Sequence, residues 1–199
     1  MKEKDKLYWS KGNKKVQVPV LSVGASLDCP NKETCPYSKE NFRASGKPWC
    51  YAQKIESLRS GVLARRRLNE KIIRKGIPSS EIRQLGADIA RFCWKKQVKF
   101  VRFNEASDLA DWNMPFLEDL TRALRRHSIT PYLYSKSSER MMEILRIVGA
   151  VVLKSDVDFV CVRSVKEAKD LGLKLCPGEG CGVSCLRCPL GLKTAVLAH

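Results

Sequence analysis

Residues Val98 to Asp108 read Val-Lys-Phe-Val-Arg-Phe-Asn-Glu-Ala-Ser-Asp, and they join a strand to a polar loop. The first six residues are rich in β-branched and aromatic side chains, which predicts a strand over Val98–Phe103. The five residues that follow are small or polar. Because functional side chains in parallel α/β folds lie at the carboxyl ends of strands, the loop after this strand is a candidate site.

Strands and helices alternate on both sides of this segment. The pattern predicts further strands, separated by helices, at Val16–Val23, Thr130–Tyr134, Ala150–Leu153, Phe159–Val162 and Leu173–Leu175. Such alternation is typical of a parallel sheet with helical crossovers. About six strands are too few to close an eight-stranded barrel, so we expect a partial, open parallel β/α barrel with a cysteine-rich C-terminal loop. An open doubly wound sheet is the alternative.

The length and composition favour a single globular domain. The chain has 199 residues, of which 44% are hydrophobic, and this is enough to build a full core. We expect a basic N-terminal arm over residues 1–15 and one α/β metal-binding domain over residues 16–199. No apolar run could span a membrane and the charged N-terminus does not resemble a signal peptide, so we expect a cytoplasmic, intracellular protein. The sequence leaves the oligomeric state open.

Basic residues outnumber acidic ones. Lysine and arginine total 37 and aspartate and glutamate total 21, which gives a formal net charge of +16. This excess predicts a polyanionic partner, most simply nucleic acid, DNA or RNA, whereas an ion-paired surface would explain many charges but no excess. A helix is expected over about Ala52–Lys75, with Ile55, Leu58 and Val62 on its apolar face. The opposite face carries the candidate nucleic-acid contacts, which are Arg59, Arg65, Arg66, Arg67, Lys71 and Arg74.

Four cysteines, Cys176, Cys181, Cys185 and Cys188, fall within thirteen residues near the C-terminus. Thiolates spaced a few residues apart on one loop are what a tetrahedral metal site or an iron–sulfur cluster requires. Two disulfides are the alternative, but cysteines of intracellular proteins more often serve metal or redox chemistry. The segment therefore predicts a metal centre without specifying the metal.

A second group of cysteines follows the first strand with the spacing Cys29-x5-Cys35-x14-Cys50. Three thiolates with an open fourth position suit a reactive 4Fe–4S cluster. Alternatively, these three combine with one C-terminal thiolate in a single site, or one or two of them take no part. We therefore expect one or two iron–sulfur clusters, with zinc as the alternative metal.

Three charged side chains that follow strand ends are candidate catalytic residues. Glu105 and Asp108 could carry protons, bind a ligand amine or hold a metal, and Asp108 could equally cap the next turn. Lys136 follows the Thr130–Tyr134 strand, where it could contact a phosphate or a carboxylate, or remain a solvated lysine. The winding of the expected fold would bring all three to the same rim as the cysteines.

Three cysteines after the first strand of a partial parallel barrel resemble the radical S-adenosylmethionine (SAM) layout. In that family three cysteines bind a 4Fe–4S cluster whose unique iron binds SAM, and an aromatic residue precedes the last cysteine, as Trp49 precedes Cys50 here. The family's usual run is Cys-x3-Cys-x2-Cys, so the spacing differs. The resemblance implies a cluster bound by Cys29, Cys35 and Cys50, with SAM as a further cofactor.

The chain is more closely similar to the phage gene product 88 family. The shared motifs stand in the same order: Cys29-Pro with Cys35, Cys50-Tyr-Ala, residues Val101–Leu109, Tyr134-Ser-Lys-Ser, Cys176-Pro and Cys181-x3-Cys185-x2-Cys188. This resemblance implies a cysteine-bound metal centre and an origin in a phage or mobile element. It implies no particular reaction.

Three functional hypotheses follow. The first is an iron–sulfur protein on a radical-SAM-like partial barrel that acts on or binds nucleic acid, with one-electron chemistry at the N-terminal cluster and substrate held by Glu105, Asp108 and Lys136. The second is a non-enzymatic nucleic-acid-binding protein stabilised by zinc or a structural cluster. The third is a metal-dependent nuclease that uses the same three polar residues. We favour the first, and with it an enzyme.

Overall fold

A computed structural model of the chain describes residues 6–12, 18–33, 35, 38, 41, 50–104, 106–154, 159–162, 165–175 and 194–197. Within these residues the protein is a mixed α/β structure with two parallel sheets. The first sheet contains β1 (Val20–Leu21), β2 (Phe100–Phe103), β3 (Thr130–Ser135) and β4 (Val151–Lys154) in the order β1-β2-β3-β4. All neighbouring pairs are parallel, as the sequence predicts.

Helices connect the strands of this sheet. Three lie between β1 and β2, namely α1 (Tyr51–Leu58), α2 (Ser60–Lys75) and α3 (Ser79–Lys95). Helix α4 (Met114–Arg125) connects β2 to β3, and α5 (Glu139–Ile147) connects β3 to β4. The strand order follows the chain without a reversal, so crossovers of one hand place their helices on one face. The contacts of α4 with both α3 and α5 agree with this arrangement.

The expectation of six strands in one partial barrel is not met by the described residues. Strands β5 (Phe159–Val162) and β6 (Lys174–Leu175) pair with a later strand, β7 (Thr194–Leu197), in a separate sheet of order β5-β7-β6. The short helix α6 (Val165–Asp170) connects β5 to β6. The first four strands therefore form an open sheet, and the doubly wound alternative lacks its characteristic reversal of strand order within them.

The hydrophobic core lies between the first sheet and helices α3 to α5. On β2 the side chains alternate, so Val101 and Phe103 are fully buried while Arg102 stacks over the ring of Tyr134 at 5.5 Å. On α4 the buried leucines recur at helical spacing, at positions 117, 120 and 124. Cys93 of α3 is fully buried in this core, where it packs as a small apolar side chain.

The described part of the N-terminal arm packs against the domain. Ser10 forms an antiparallel bridge with Val20, through backbone hydrogen bonds of 2.8 and 2.9 Å. The amide of Asn69 on α2 bonds both backbone groups of Tyr8, and Trp9 contacts the ring of Phe92 edge-on at 5.5 Å. Residues 8–10 of the expected basic arm thus lie at the edge of the sheet beside β1.

The single helix expected over Ala52–Lys75 is two helices with a break at Arg59, whose φ of −132° is not helical. The expected apolar face is also wrong in part, because Leu58 is 73% exposed. Four of the six buried positions described in these two helices are instead polar, namely Gln53, Glu56, Arg66 and Asn69, and the other two are Ala52 and Ile73. A search for apolar residues at helical spacing could not identify this face, because most of its buried side chains are polar and form hydrogen bonds.

The closest approach between α3 and α4 is at Gly86. A Cβ atom at this position would lie 2.8 Å from the Cβ of Ala123, closer than two carbons can pack. Replacing Gly86 by alanine should therefore lower the free energy of unfolding by about 1–3 kcal/mol, because overpacking outweighs the helix propensity gained. Urea titration followed by circular dichroism measures this change.

Gly61 of α2 provides the matched control, since a Cβ there meets no atom within 4 Å. Gly61→Ala should leave the free energy of unfolding unchanged or raise it by up to about 1 kcal/mol. Equal effects of the two substitutions would mean that α3 and α4 do not approach as closely as described.

No helix in the described part of the chain is long and apolar enough to cross a membrane.

Candidate functional site

Three cysteine side chains from the region between β1 and α1 lie in one neighbourhood. Cys29 follows a 3-10 turn at Ser26–Asp28, Cys35 lies in the loop beyond it, and Cys50 directly precedes α1. Burial raises the pKa of the Cys29 thiol to about 12; the backbone N–H of Asn31 opposes this, while the negative charges of Asp108, Cys35 and Cys50 add to it. These groups are therefore near enough to Cys29 for their charges to act on its thiol.

The surroundings of Cys50 and Cys35 include a cation. Burial raises the pKa of the Cys50 thiol, whereas the backbone N–H groups of Gln53 and Ala52 at the start of α1 and the charge of Lys136 lower it. The ammonium group of Lys136 lies 3.6 Å from the sulfur of Cys35. The loop after β3 thus brings a positive charge to the cysteines that follow β1, although the two loops are a hundred residues apart in sequence.

The donor set fits a thiolate-bound metal, but the arrangement is not that of a closed site. Cys29, Cys35 and Cys50 are free thiols, the ligand type of iron–sulfur clusters. Within the residues that the structure describes, no group of three or more histidine, cysteine, aspartate or glutamate side chains is placed so that it could hold a metal ion. The three thiols share a neighbourhood without the spacing of ligands around one ion.

Asp108 is the centre of a hydrogen-bond network that connects three loops. Its Oδ1 accepts bonds from the backbone N–H of Leu109 (2.8 Å) and from Ser135 Oγ (2.6 Å). Its Oδ2 accepts bonds from Asn31 Nδ2 and from the backbone N–H of Lys136, both at 2.9 Å. The buried carboxylate therefore holds the loops after β1, β2 and β3 together at the carboxyl ends of the strands.

Neighbouring side chains brace the same loops. Ser137 Oγ donates to the carbonyl of Leu109 at 2.9 Å and accepts a bond from Asn31 at 3.2 Å. Asn113 directly precedes α4, but its side chain bonds the carbonyl of Asp108 and the N–H of Ala110 rather than capping the helix. Asn104 and Ser107, with φ of 50° and 67°, give the loop after β2 a left-handed backbone at two non-glycine residues.

A buried ion pair fixes the turn that precedes Cys29. Glu56 of α1 accepts hydrogen bonds from the backbone N–H groups of Ser26 (2.9 Å) and Leu27 (3.0 Å), and Arg66 of α2 donates to the same carboxylate at 2.8 Å. Glu56 is 1% exposed and Arg66 is 8% exposed. Because Cys50 starts α1 and Cys29 follows the turn, this pair sets the positions of both cysteines relative to each other.

The predicted basic face is divided between structural contacts and solvent. Arg67 bonds Asp28 at 2.8 Å, Arg74 bonds Glu70 at 2.8 Å and stacks over Trp112, and Arg66 pairs with Glu56. Arg65 stacks over the ring of Tyr8 at 4.5 Å. Arg59 and Lys71 are exposed. Three of the six predicted nucleic-acid contacts thus form ion pairs with carboxylates of the protein itself.

Several predicted residues lie outside the part of the chain that the structure describes. These are Glu105, Cys176, Cys181, Cys185 and Cys188. Their roles remain predictions from the sequence.

The family model "Gene product 88" matches residues 2–170. This range holds the three N-terminal cysteines and the whole Asp108 network. The chain belongs to the phage gene product 88 family. Comparisons with curated proteins and with solved structures found no match.

The limits of the family match separate the two cysteine groups. Cys29, Cys35 and Cys50 lie inside the matched residues, whereas the four C-terminal cysteines follow residue 170. The motifs Cys176-Pro and Cys181-x3-Cys185-x2-Cys188, on which the resemblance partly rested, are therefore not part of the match. The resemblance to the radical SAM family gains no support, since the matching model is a different one and no six-stranded barrel is present in the described strands.

Sequence reasoning missed several residues that build this site. Asn31 and Ser135 carry half of the bonds to the Asp108 carboxylate, and Glu56 holds the turn before Cys29. The position of Ser135 and Ser137 directly after a strand was a usable signal. Asn31 and Glu56 gave none, because a polar side chain in a loop or on a helix face does not show whether it will be buried.

Cys93 should resist alkylation in the folded protein. Burial raises the pKa of this thiol to about 11, so it is neutral at pH 8 and also shielded from reagent. Iodoacetamide followed by peptide mass spectrometry should label Cys93 only after unfolding in urea. As the pH rises, the thiol ionises in the unfolded chain at a lower pH than in the folded protein. Its contribution to the stability of the fold is therefore fully present below pH 9.0 and is lost as the pH rises through about 11. Labelling in the native state at the rate of Cys35 would contradict this burial.

Proposed function

We propose that this family member is an iron–sulfur protein in which Cys29, Cys35 and Cys50 bind a 4Fe–4S cluster at the carboxyl ends of β1 to β3. The observation that supports it is the neighbourhood of three free thiols in the segment between β1 and α1, with Asp108 near Cys29 and Lys136 beside Cys35. Cysteines that serve only as core residues, like Cys93, have no reason to meet at a polar rim.

The protein side chains have distinct roles in this proposal. Cluster binding would draw the three thiols closer than they stand and would displace their protons, since thiolates are the ligands. Lys136 would offset part of the negative charge of the thiolates near Cys35. Such a cluster supplies one-electron chemistry when bound, and three cysteines leave one iron for a further ligand, of which SAM is a candidate.

Two of the four buried side-chain atoms that lack a hydrogen-bond partner among the described residues belong to loops at this rim. Asn104 Nδ2 and Ser26 Oγ are buried and have no partner, and both residues follow the carboxyl ends of strands, Asn104 after β2 and Ser26 after β1. Buried polar atoms are rarely left unpaired in proteins, so their presence at this rim favours a binding role. The metal-dependent nuclease is less well supported, because both oxygens of Asp108 already accept two hydrogen bonds each.

The experiment is anaerobic purification with measurement of iron, acid-labile sulfide and visible absorption. The parent protein should absorb visible light and contain iron and sulfide. The variants Cys29→Ser, Cys35→Ser and Cys50→Ser should each contain less iron, by the amount that one cluster binds. Cys93→Ala is the control and should retain it. A colourless protein with tightly bound zinc would favour the second hypothesis, a metal-stabilised nucleic-acid-binding protein. An EPR spectrum of the reduced protein that is unchanged by SAM would exclude SAM as the further ligand.

We include the four C-terminal cysteines in this proposal as the ligands of a second metal centre. Four cysteines within thirteen residues could hold zinc or a further cluster. The joint substitution of Cys181 and Cys185 by serine should then remove metal from the protein without removing the iron bound through Cys29. Unchanged metal content would leave the N-terminal cysteines as the single centre.

A second candidate function is nucleic-acid binding, which the net charge of +16 favours. The Arg65, Arg66 and Arg67 side chains cannot be tested together, because a substitution at Arg66 would break its buried pair with Glu56. Arg59, Arg65 and Lys71 are the exposed cations of the predicted basic face without a carboxylate partner among the described residues. Replacing these three by serine tests that face without breaking a described ion pair.

A further inference from the structure

An exposed tryptophan lies at the end of the first sheet opposite to the cysteines. Trp94 stands in the last turn of α3, shortly before β2 begins at Phe100, so it lies near the amino ends of the strands. Its side chain is 55% exposed, although tryptophan is usually buried for most of its surface. The ring of His127, which follows α4, meets the indole edge-on at 5.4 Å. This contact fixes the indole while leaving much of it accessible.

The two segments that meet at Trp94 are strongly basic. Residues 91–99 contain Arg91, Lys95, Lys96 and Lys99, residues 122–126 contain Arg122, Arg125 and Arg126, and neither segment contains an acidic residue. All seven side chains are exposed. The backbone N–H of Thr130 bonds the carbonyl of Lys99 at 2.8 Å, and Arg125 bonds Thr130 Oγ1, so the structure joins the two segments side by side.

Most of these cations lack an intramolecular counter-charge. Arg91 pairs with Asp88 and Arg122 pairs with Glu118 on the sides of their helices. The described residues provide no carboxylate partner for Lys95, Lys96, Lys99, Arg125 or Arg126. Cations near helix C-termini stabilise the helix dipole, which accounts for Lys95 and Lys96 at the end of α3 and for Arg125 and Arg126 at the end of α4. It does not account for Lys99, nor for an exposed indole among these cations.

We propose that Trp94 and the cations around it form a docking surface for single-stranded nucleic acid, with a base stacked on the indole and phosphates contacting Lys95, Lys96 and Arg126. Aromatic side chains within a basic surface bind single strands because every base offers a π face, whereas the bases of a duplex are stacked on each other. The inference rests on the proposed nucleic-acid binding and adds the surface and the strandedness of the ligand.

The location has a mechanical consequence. A single-stranded nucleic acid bound at Trp94 would lie at the amino ends of β2 and β3, whereas the cysteines lie at the carboxyl ends of the sheet. The nucleic acid would then be held by one end of the protein while the other end remains open to a different ligand. Docking at α2 would instead place it beside Asp28 and Arg67, next to the cysteines.

The test measures fluorescence anisotropy of a labelled oligothymidylate with the full chain at several salt concentrations. Trp94→Ala should weaken binding about tenfold or more, and Trp94→Phe should bind within a few-fold of the parent, because phenylalanine preserves a stacking face. The triple variant Lys95→Ser, Lys96→Ser, Arg126→Ser should bind more weakly and lower the log–log salt slope by about 2, at roughly 0.7 per phosphate contact in a single strand.

The matched control removes the same charge from the other surface: Arg59→Ser, Arg65→Ser and Lys71→Ser together should leave the affinity within a few-fold. If this control loses binding while the Trp94 variants retain it, the docking surface is wrong but nucleic-acid binding stands. If the parent protein binds neither the single strand nor a duplex, both proposals fail. Tighter binding of a duplex, or of polyglutamate, than of the single strand would overturn the assignment of the ligand.

Discussion

Replacing Arg66 by methionine should lower the free energy of unfolding by about 3–5 kcal/mol. The guanidinium group is the positive partner of Glu56, whose carboxylate is buried and also bonds the backbone of Ser26 and Leu27. Without Arg66, a negative charge would remain inside the protein with two neutral donors. Removing one partner of a buried pair is costly for this reason, even where the intact pair contributes little net stability.

Arg67→Met is the matched control for this prediction. Its pair with Asp28 has a similar distance of 2.8 Å, but the two side chains are 53% and 36% exposed. Exposed pairs contribute about 0–1 kcal/mol, so the control should remain close to the parent in urea titrations. The double variant Glu56→Gln, Arg66→Met should recover part of the loss, because the unpaired charge is then absent. Equal, small effects of Arg66→Met and Arg67→Met would show that Glu56 is not buried as described.

The second large effect is expected for Asp108→Asn, which should lower the free energy of unfolding by about 2–4 kcal/mol. All four groups that contact this carboxylate are donors, namely the N–H groups of Leu109 and Lys136, the amide of Asn31 and the hydroxyl of Ser135. Asparagine would direct an NH2 group at two of them, and each buried donor left without an acceptor costs about 1–3 kcal/mol.

Asp111→Asn is the control, since Asp111 is exposed, and it should change stability by less than about 0.5 kcal/mol. The same pair of variants separates the two roles considered for Asp108. If Asp108→Asn is as stable as the parent but the iron-loaded variant no longer carries out the parent's reaction, the carboxylate acts on a ligand. If it loses stability and iron together, the carboxylate positions the loops that carry Asn31 and Lys136.

The sequence was informative where burial and polarity follow simple periods. Strand β2 lies within the predicted Val98–Phe103, and Asp108 lies at its carboxyl end with Lys136 nearby, because parallel strands bring their ends to one rim. The three cysteines lie near this rim because all of them belong to the segment between β1 and α1. Helix α5 ends at Ile147, two residues before Gly149, whose φ of 99° reflects the freedom of glycine to adopt a left-handed backbone.

Other features could not be read from the sequence because they depend on paired polar burial. The face of α1 and α2 that packs inward carries Glu56, Arg66 and Asn69, and each of these would be assigned to solvent on its own. They are buried because each finds its partner in a distant segment, Asn69 in Tyr8 and Ser22, and Glu56 in Ser26. Strand β7 was missed because four residues carry too little periodicity to identify a strand.

The order of the second sheet bears on the way the protein emerges from the ribosome. Strand β7 is the central strand, paired with β5 on one side and β6 on the other, yet it is translated after both. Strands β5 and β6 do not pair with each other. Both therefore lack their partner in this sheet until the eighteen residues between β6 and β7, and then β7 itself, have been synthesised. The second sheet can therefore form only after the cysteine-rich connection of residues 176–193 has been translated.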